Sequence, residues 1–125
     1  MKYEKDMKTG IIVFAHGSRD PRWCAPIEAL SLQIQQQEPE TPARCAYLEL
    51  CKPTLEEAAN ELIAEGIFKL KIFPVFFGVG KHAREDLPLL VEAIQSQHPG
   101  LVVELLPTAG ESPQLISLMA QIALS

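Results

Sequence analysis

Gly10-Ile11-Ile12-Val13-Phe14-Ala15-His16-Gly17 holds an unbroken apolar run, Ile11 to Ala15, bracketed by two glycines. A strand with one face in water alternates apolar and polar residues. A run without alternation instead predicts a strand buried on both faces, as in a parallel sheet covered by helices. The run stops at His16, which places a histidine at the strand's carboxyl end. Gly17, Ser18, Arg19, Asp20 and Pro21 then form a turn.

On the C-terminal side the period changes to that of helices. Ile27, Leu30 and Ile34 share one stripe and predict a helix from Pro26 to about Gln37. Residues 21–25 read as an irregular first turn, because a proline at 26 is disfavoured deep inside a helix. Residues 43–49 read as a second strand, with Cys45, Tyr47 and Leu50 packing and Glu49 at its far end. Thr54 and Glu57 have capping-box spacing, Leu55, Ala58, Ala59, Leu62 and Ile63 supply an apolar face, and Gly66 supplies the stop. Ile67 to Phe77 reads as a third strand, with a bulge or a break in pairing expected at Pro74. Phe76 to Pro88 reads as a loop, and Pro88 opens a helix carrying Leu90, Val91 and Ile94. After His98-Pro99-Gly100, Leu101 to Leu106 is a fourth strand. Ser112-Pro113 then caps a last helix whose Leu115, Leu118, Met119 and Ile122 are expected to face inward. Trp23 and Phe77 read as core residues by default, or as the lining of an apolar pocket.

The order βαβαβαβα predicts an α/β fold: a four-stranded parallel sheet with helices on both faces, a flavodoxin-like three-layer arrangement with right-handed crossovers. At 125 residues this is one domain, 1–125, with residues 1–9 a polar N-terminal tail. The 47% hydrophobic and 22% charged content is that of an ordinary globular chain, and the net charge of −5 argues against a nucleic-acid partner. No apolar run approaches the roughly 20 residues of a membrane span, and no apolar leader follows Met1. Cys24, Cys45 and Cys51 are odd in number and share no Cys-x-x-Cys spacing. Reduced thiols and a cytoplasmic location are the expectation.

In a parallel sheet all strand carboxyl ends lie on one edge. His16, Glu49 and the loop with His82 therefore share that edge, and His98 belongs to the opposite one. Two imidazoles and a carboxylate arriving from separate strands can hold a divalent transition metal. They can equally accept protons near neutral pH. A single histidine is more often a plain core or surface residue, but two at equivalent strand ends favour a site. Glu49 reads either as a third ligand or as the solvated end of a strand. Arg19, Arg22, Lys52, Lys81 and Arg84 fall in the loops of the same edge of an acidic chain, which suits a small polyanionic ligand or a solvated rim. Gly78-x-Gly80-Lys81 lacks the phosphate-loop frame, and Gly17-Ser18 lacks the frame of a nucleophile elbow. Cys51 reads as a buried small hydrophobe or a soft ligand beside Glu49.

Three segments carry a family resemblance: Ala15-His16-Gly17-Ser18-Arg19-Asp20-Pro21, Leu48-Glu49-x-x-x-Pro53-Thr54-Leu55, and Pro74-Val75-Phe76-Phe77-Gly78-x-Gly80-Lys81-His82-x-x-x-Asp86-Leu87-Pro88. Together they resemble the small class II chelatases of the CbiX and SirB type, which act on sirohydrochlorin, and the resemblance covers nearly the whole chain. It implies a chelatase-like single lobe and a metal-inserting lyase of cobalamin or sirohaem biosynthesis. It also implies His16 and His82 as catalytic and metal-binding residues, with Glu49 at a third metal position. No permanently bound cofactor is implied; Co²⁺, Fe²⁺ or Ni²⁺ enters as substrate. The substrate is an octacarboxylate tetrapyrrole, so Ser18, Arg19, Lys81 and Arg84 become expected substrate-binding residues. A homodimer is expected as well, because one lobe offers half a cleft and the last helix has extra apolar residues, Ile116 and Leu124. The rival reading is a non-enzymatic metal or tetrapyrrole carrier using the same two histidines. A hydrolase or phosphate-binding domain is disfavoured by the missing frames.

Overall fold

The computed structural model describes residues 8–78 and 80–125, without the side chain of His82. Four strands, β1 (Thr9–Ala15), β2 (Ala43–Tyr47), β3 (Lys69–Pro74) and β4 (Val102–Leu105), form one parallel sheet in the order β2-β1-β3-β4. They alternate with helices α1 (Pro21–Gln37), α2 (Leu55–Ala64), α3 (Lys81–Gln97) and α4 (Pro113–Leu124), and a 3-10 turn at Ala109–Glu111 precedes the last. The expected tail through residue 9 overlaps β1, since Thr9 already pairs with Lys69. Residues 1–7 lie outside the described residues.

The apolar run is buried as its lack of alternation requires. Ile12 and Phe14 of β1 join Ala46, Leu70 and Ile72 against Leu55, Ala58, Ala59 and Leu62 of α2 and Leu87 and Ile94 of α3. On the other face Ala15 and Tyr47 pack with Cys24 and Ile27 of α1. Burying each large aliphatic side chain of the first cluster contributes about 1.5–3 kcal/mol, so that cluster is the principal core. The chain leaves β1 for β2 on one side and returns across β1 to β3 and β4 on the other. The connections thus reverse direction between β1 and β3, and open α/β sheets form their crevice at such a reversal, beyond the carboxyl ends.

Several expectations are corrected. α1 begins at Pro21, and Pro26 lies inside it: the Asp20 carboxylate accepts the Arg22 N–H at 3.0 Å and fixes the start. The carbonyl that Pro26 leaves without a donor, that of Arg22, sits in this exposed first turn, where water can serve it. Pro74 causes no bulge. It is the last residue of β3, in register with Phe14, and the Val75 N–H continues the ladder to the Phe14 carbonyl at 2.7 Å. Likewise Pro88 does not open α3, which starts seven residues earlier, at Lys81, with Gly80 as its extended N-cap. The capping box of Thr54 and Glu57 and the stop at Gly66, φ +94°, are as expected.

Surface placements differ more. Leu50 is half exposed in a left-handed conformation, φ 70°, and Trp23 and Phe77 are exposed instead of packed. No residue of α4 is buried, and Leu118, Met119 and Ile122 face solvent at 51%, 42% and 64% exposure. Among the described residues no helix is long and apolar enough to cross a membrane.

Candidate active site

The β1–β2 ladder continues past both strands and builds the first wall. Leu48 N–H donates to the Ala15 carbonyl at 2.9 Å, and Glu49 N–H to the His16 carbonyl at 3.1 Å. Backbone pairing therefore sets His16 and Glu49 side by side at the carboxyl edge. Gly17 makes this approach possible. It has φ +99°, and a Cβ there would stand 1.9 Å from the Glu49 carbonyl oxygen, so a side chain is excluded by contact as well as by conformation.

The second wall comes from β3 and its loop. Phe76 is buried and meets the Phe14 ring edge-on, with centroids 5.9 Å apart; its other neighbour is the His16 ring, at 6.2 Å and an interplanar angle of 88°. It is a hinge of packing between core and site: one neighbour belongs to the sheet, the other to solvent. The Gly110 N–H donates to the Phe76 carbonyl at 2.9 Å, and a Cβ on Gly110 would meet the Phe77 carbonyl at 1.8 Å. The 3-10 turn thus braces the loop from behind.

Between the walls lies a cavity of about 610 Å³. His16, Leu48 and Glu49 line one side and Phe76, Gly78, Gly80 and Lys81 the other, with Ala83 and Asp86 of α3. This volume is within the usual range for small-molecule sites. Among the described residues the cavity is lined by the Phe76 ring, one imidazole, two carboxylates and an ammonium. It also meets the first turn of α3, whose backbone N–H groups are unpaired by the helix and favour anions.

Of the expected site residues, His16, Glu49 and Lys81 border this cavity. His82 is the second residue of α3, at the same mouth, but its side chain is outside the described residues. Among the described residues no cluster of three or more His, Cys, Asp or Glu is arranged to hold a metal ion. Ser18 and Arg19 line a different opening, of about 270 Å³, with Cys51 and Lys52. Arg84 lines a third, of about 290 Å³, between α3 and the segment after β4. Arg22 is paired with Asp20 at 2.8 Å, which holds the Asp20 carboxyl below its ordinary range. The basic residues thus share one edge without forming one patch. His98 lies on the opposite edge, where its Nε2 bonds Asn60 Oδ1 at 2.8 Å.

Asp86 is the residue that sequence reasoning left without a role. It lies one helical turn after His82, a relation visible only once α3 is known to begin at Lys81. Behind His16, the sulfurs of Cys24 and Cys51 are 3.2 Å apart, and their mutual hydrogen bond, then burial, raises the Cys24 thiol above its ordinary range.

Comparisons with known proteins agree with this geometry. The sequence model of the CbiX family matches residues 10–124. A sirohydrochlorin cobaltochelatase of Methanothermobacter thermautotrophicus is 35% identical over 81 residues, 65% of this chain and 56% of that one. A second, from Saccharolobus solfataricus, is 35% identical over 86 residues, covering 66% of this chain and 62% of the relative. The chain thus spans less than two thirds of these curated relatives. A CbiX protein of Marinobacter aquaeolei assigned to cobalamin biosynthesis superposes with a TM-score of 0.82 at 30% identity, over 93% of this chain and 94% of that one. SirB of Bacillus subtilis, solved with Fe³⁺, shares the fold at 21% identity and a TM-score of 0.77, over 92% of this chain and 46% of SirB.

Proposed function

The chain belongs to the CbiX family, and from that premise we propose that it inserts a divalent metal into sirohydrochlorin, with loss of two pyrrole protons. The observation that carries the reading is the pairing of His16 with Glu49 on the rim of the 610 Å³ cavity, opposite Lys81 at the start of α3. Insertion needs bases at the macrocycle and cationic or dipolar groups for its carboxylates. The cavity offers both.

His16 is the principal proton acceptor and meets the metal, with Glu49 as second acceptor on the same side. The metal, Co²⁺ or Fe²⁺ with Ni²⁺ as a third candidate, is substrate and not resident cofactor. Cobalt is favoured because the curated relatives are cobaltochelatases and the Marinobacter protein is assigned to cobalamin biosynthesis. His82 enters as the partner histidine on its position at the mouth of the cavity. Lys81 and the α3 amides receive a carboxylate of the macrocycle. Arg19 and Arg84, each beside its own opening, reach only peripheral carboxylates of the substrate. A cytoplasmic location fits three free cysteines.

A homodimer belongs to the same reading. One lobe supplies one wall for a macrocycle, and α4 exposes an apolar face that no described residue buries.

The test is anaerobic: the chain with metal-free sirohydrochlorin, started by Co²⁺ or Fe²⁺ against a no-enzyme control. Loss of the free-macrocycle absorption over many equivalents supports the reading. A spectral change that stops at one equivalent of protein makes the chain a carrier.

A further inference from the structure

Two thiols that the proposed chemistry does not use stand in contact. Cys24 is in the first turns of α1, and Cys51 is in the bend after β2. Their sulfurs lie 3.2 Å apart, and both are free. Ser18 N–H donates to Cys51 Sγ at 3.2 Å, while Cys51 S–H donates to the Ser18 carbonyl at 3.1 Å. With its own proton committed there, Cys51 is the acceptor from Cys24. The sulfurs are thus oriented toward each other by a chain of hydrogen bonds that begins two residues from His16. A disulfide needs a separation of about 2.05 Å, so the two sulfurs have roughly 1 Å left to close.

The pair is also reachable. Cys24 is buried, but Cys51 is only partly buried and lines the 270 Å³ opening beside Arg19 and Lys52. Among the described residues the two cations outnumber the single carboxylate of that opening, Glu28, which suits an anionic small-molecule disulfide. Cys45 is different: its thiol donates to the Ile27 carbonyl at 3.5 Å.

We propose that Cys24 and Cys51 are a reversible thiol–disulfide pair whose co-reactant is a low-molecular-weight disulfide of the glutathione type. Cys51 sulfur, having lost its proton, attacks the small disulfide, forms a mixed disulfide and releases one small thiol. Cys24 sulfur, losing its proton in turn, attacks Cys51 sulfur, forms the protein disulfide and expels the second small thiol. Two electrons and two protons pass from the protein to the co-reactant, so the exchange balances. The Ser18 carbonyl then loses the Cys51 donor, and the segment after His16 is held through a covalent link between α1 and the β2–α2 loop.

The experiment uses the full chain with excess oxidised glutathione, followed by thiol counting and a non-reducing peptide map. The expected result is a fall from three free thiols to one, with the Cys24 and Cys51 peptides linked and dithiothreitol restoring all three. C45S keeps the link. C24S stops at a glutathione adduct on Cys51. Three thiols surviving the treatment, a link through Cys45, or glutathione left on Cys51 of the native chain each overturn the proposal. The native chain's own map is decisive even if serine at buried Cys24 disturbs folding, and none of these readouts depends on metal insertion.

Discussion

Gly17 and His16 are neighbours with opposite duties, and two substitutions separate them. His16 is exposed, and the ring it meets among the described residues is that of Phe76, edge-on. H16A is expected to leave the circular dichroism spectrum and melting temperature near wild type. Its insertion rate should fall by about 10²–10⁴-fold, the usual worth of a positioned proton acceptor. Near-normal turnover in H16A would remove it from the mechanism. G17A acts through structure instead. Its Cβ meets the Glu49 carbonyl at 1.9 Å and its backbone is left-handed, so at least about 1–3 kcal/mol of strain is expected. At roughly 4 °C per kcal/mol, a thermal melt reads this directly. G78A, whose Cβ meets nothing within 4 Å, should melt like wild type. The adjacency of His16 and Glu49 was legible in the sequence, because a parallel sheet sends every strand end to one edge. The separation of Arg19 and Arg84 into different openings was not. An edge is a line, and strand order alone does not say which side of it a loop residue takes.

Among the elements, α2 was the most legible and α3 the least, and their starts explain why. The start of α2 is written in side chains: Thr54 Oγ1 accepts the Glu57 N–H at 3.1 Å, and Glu57 Oε1 accepts the Thr54 N–H at 2.8 Å. α3 begins after Gly80, which has no side chain to announce a cap, so the later Pro88 is mistaken for the first position. Proline inside a helix removes one hydrogen bond, and here the carbonyl released is that of exposed Arg84. That misplacement hid Asp86. The cap of α2 carries a prediction with a sign. The hydrogen bond from Thr54 N–H lowers the Glu57 carboxyl below its ordinary range. A depressed folded pKa stabilises at pH values above the unfolded value, about 4.3, and the benefit is lost as pH falls through the folded one. Wild type should therefore lose more stability between pH 6 and pH 3 than E57Q, whose amide keeps the cap without titrating. T54A should cost about 1 kcal/mol at neutral pH. Urea unfolding at the two pH values checks both; equal losses in wild type and E57Q would contradict the first.

At the scale of the whole molecule, α4 is the anomaly. It runs Pro-Gln-Leu-Ile-Ser-Leu-Met-Ala-Gln-Ile-Ala-Leu without one charged residue, yet none of its residues is buried. Its stripe has the spacing of a packed helix, and so the sequence predicts an inward face. The pattern is sound, and among the described residues no partner buries that face. A helix that exposes Leu118, Met119 and Ile122 together has the charge-depleted character of an interface core. β4 adds a sheet edge, with Val102 and Leu105 more than a third exposed. A second copy of the chain would satisfy both, because a symmetric pair presents the same face twice. Light scattering at micromolar concentration should therefore give twice the chain mass. L118D/I122D places two carboxylates on that face, where a charge without a counter-ion is costly to bury. The double variant should be monomeric with an unchanged circular dichroism spectrum, since neither side chain is buried within one chain. If the second copy also closes the cleft over the macrocycle, the monomer loses insertion activity while H16A loses it as a dimer. The same activity defect then has two origins that the mass measurement tells apart. A wild-type monomer with full turnover would leave α4 unexplained and end the dimer reading.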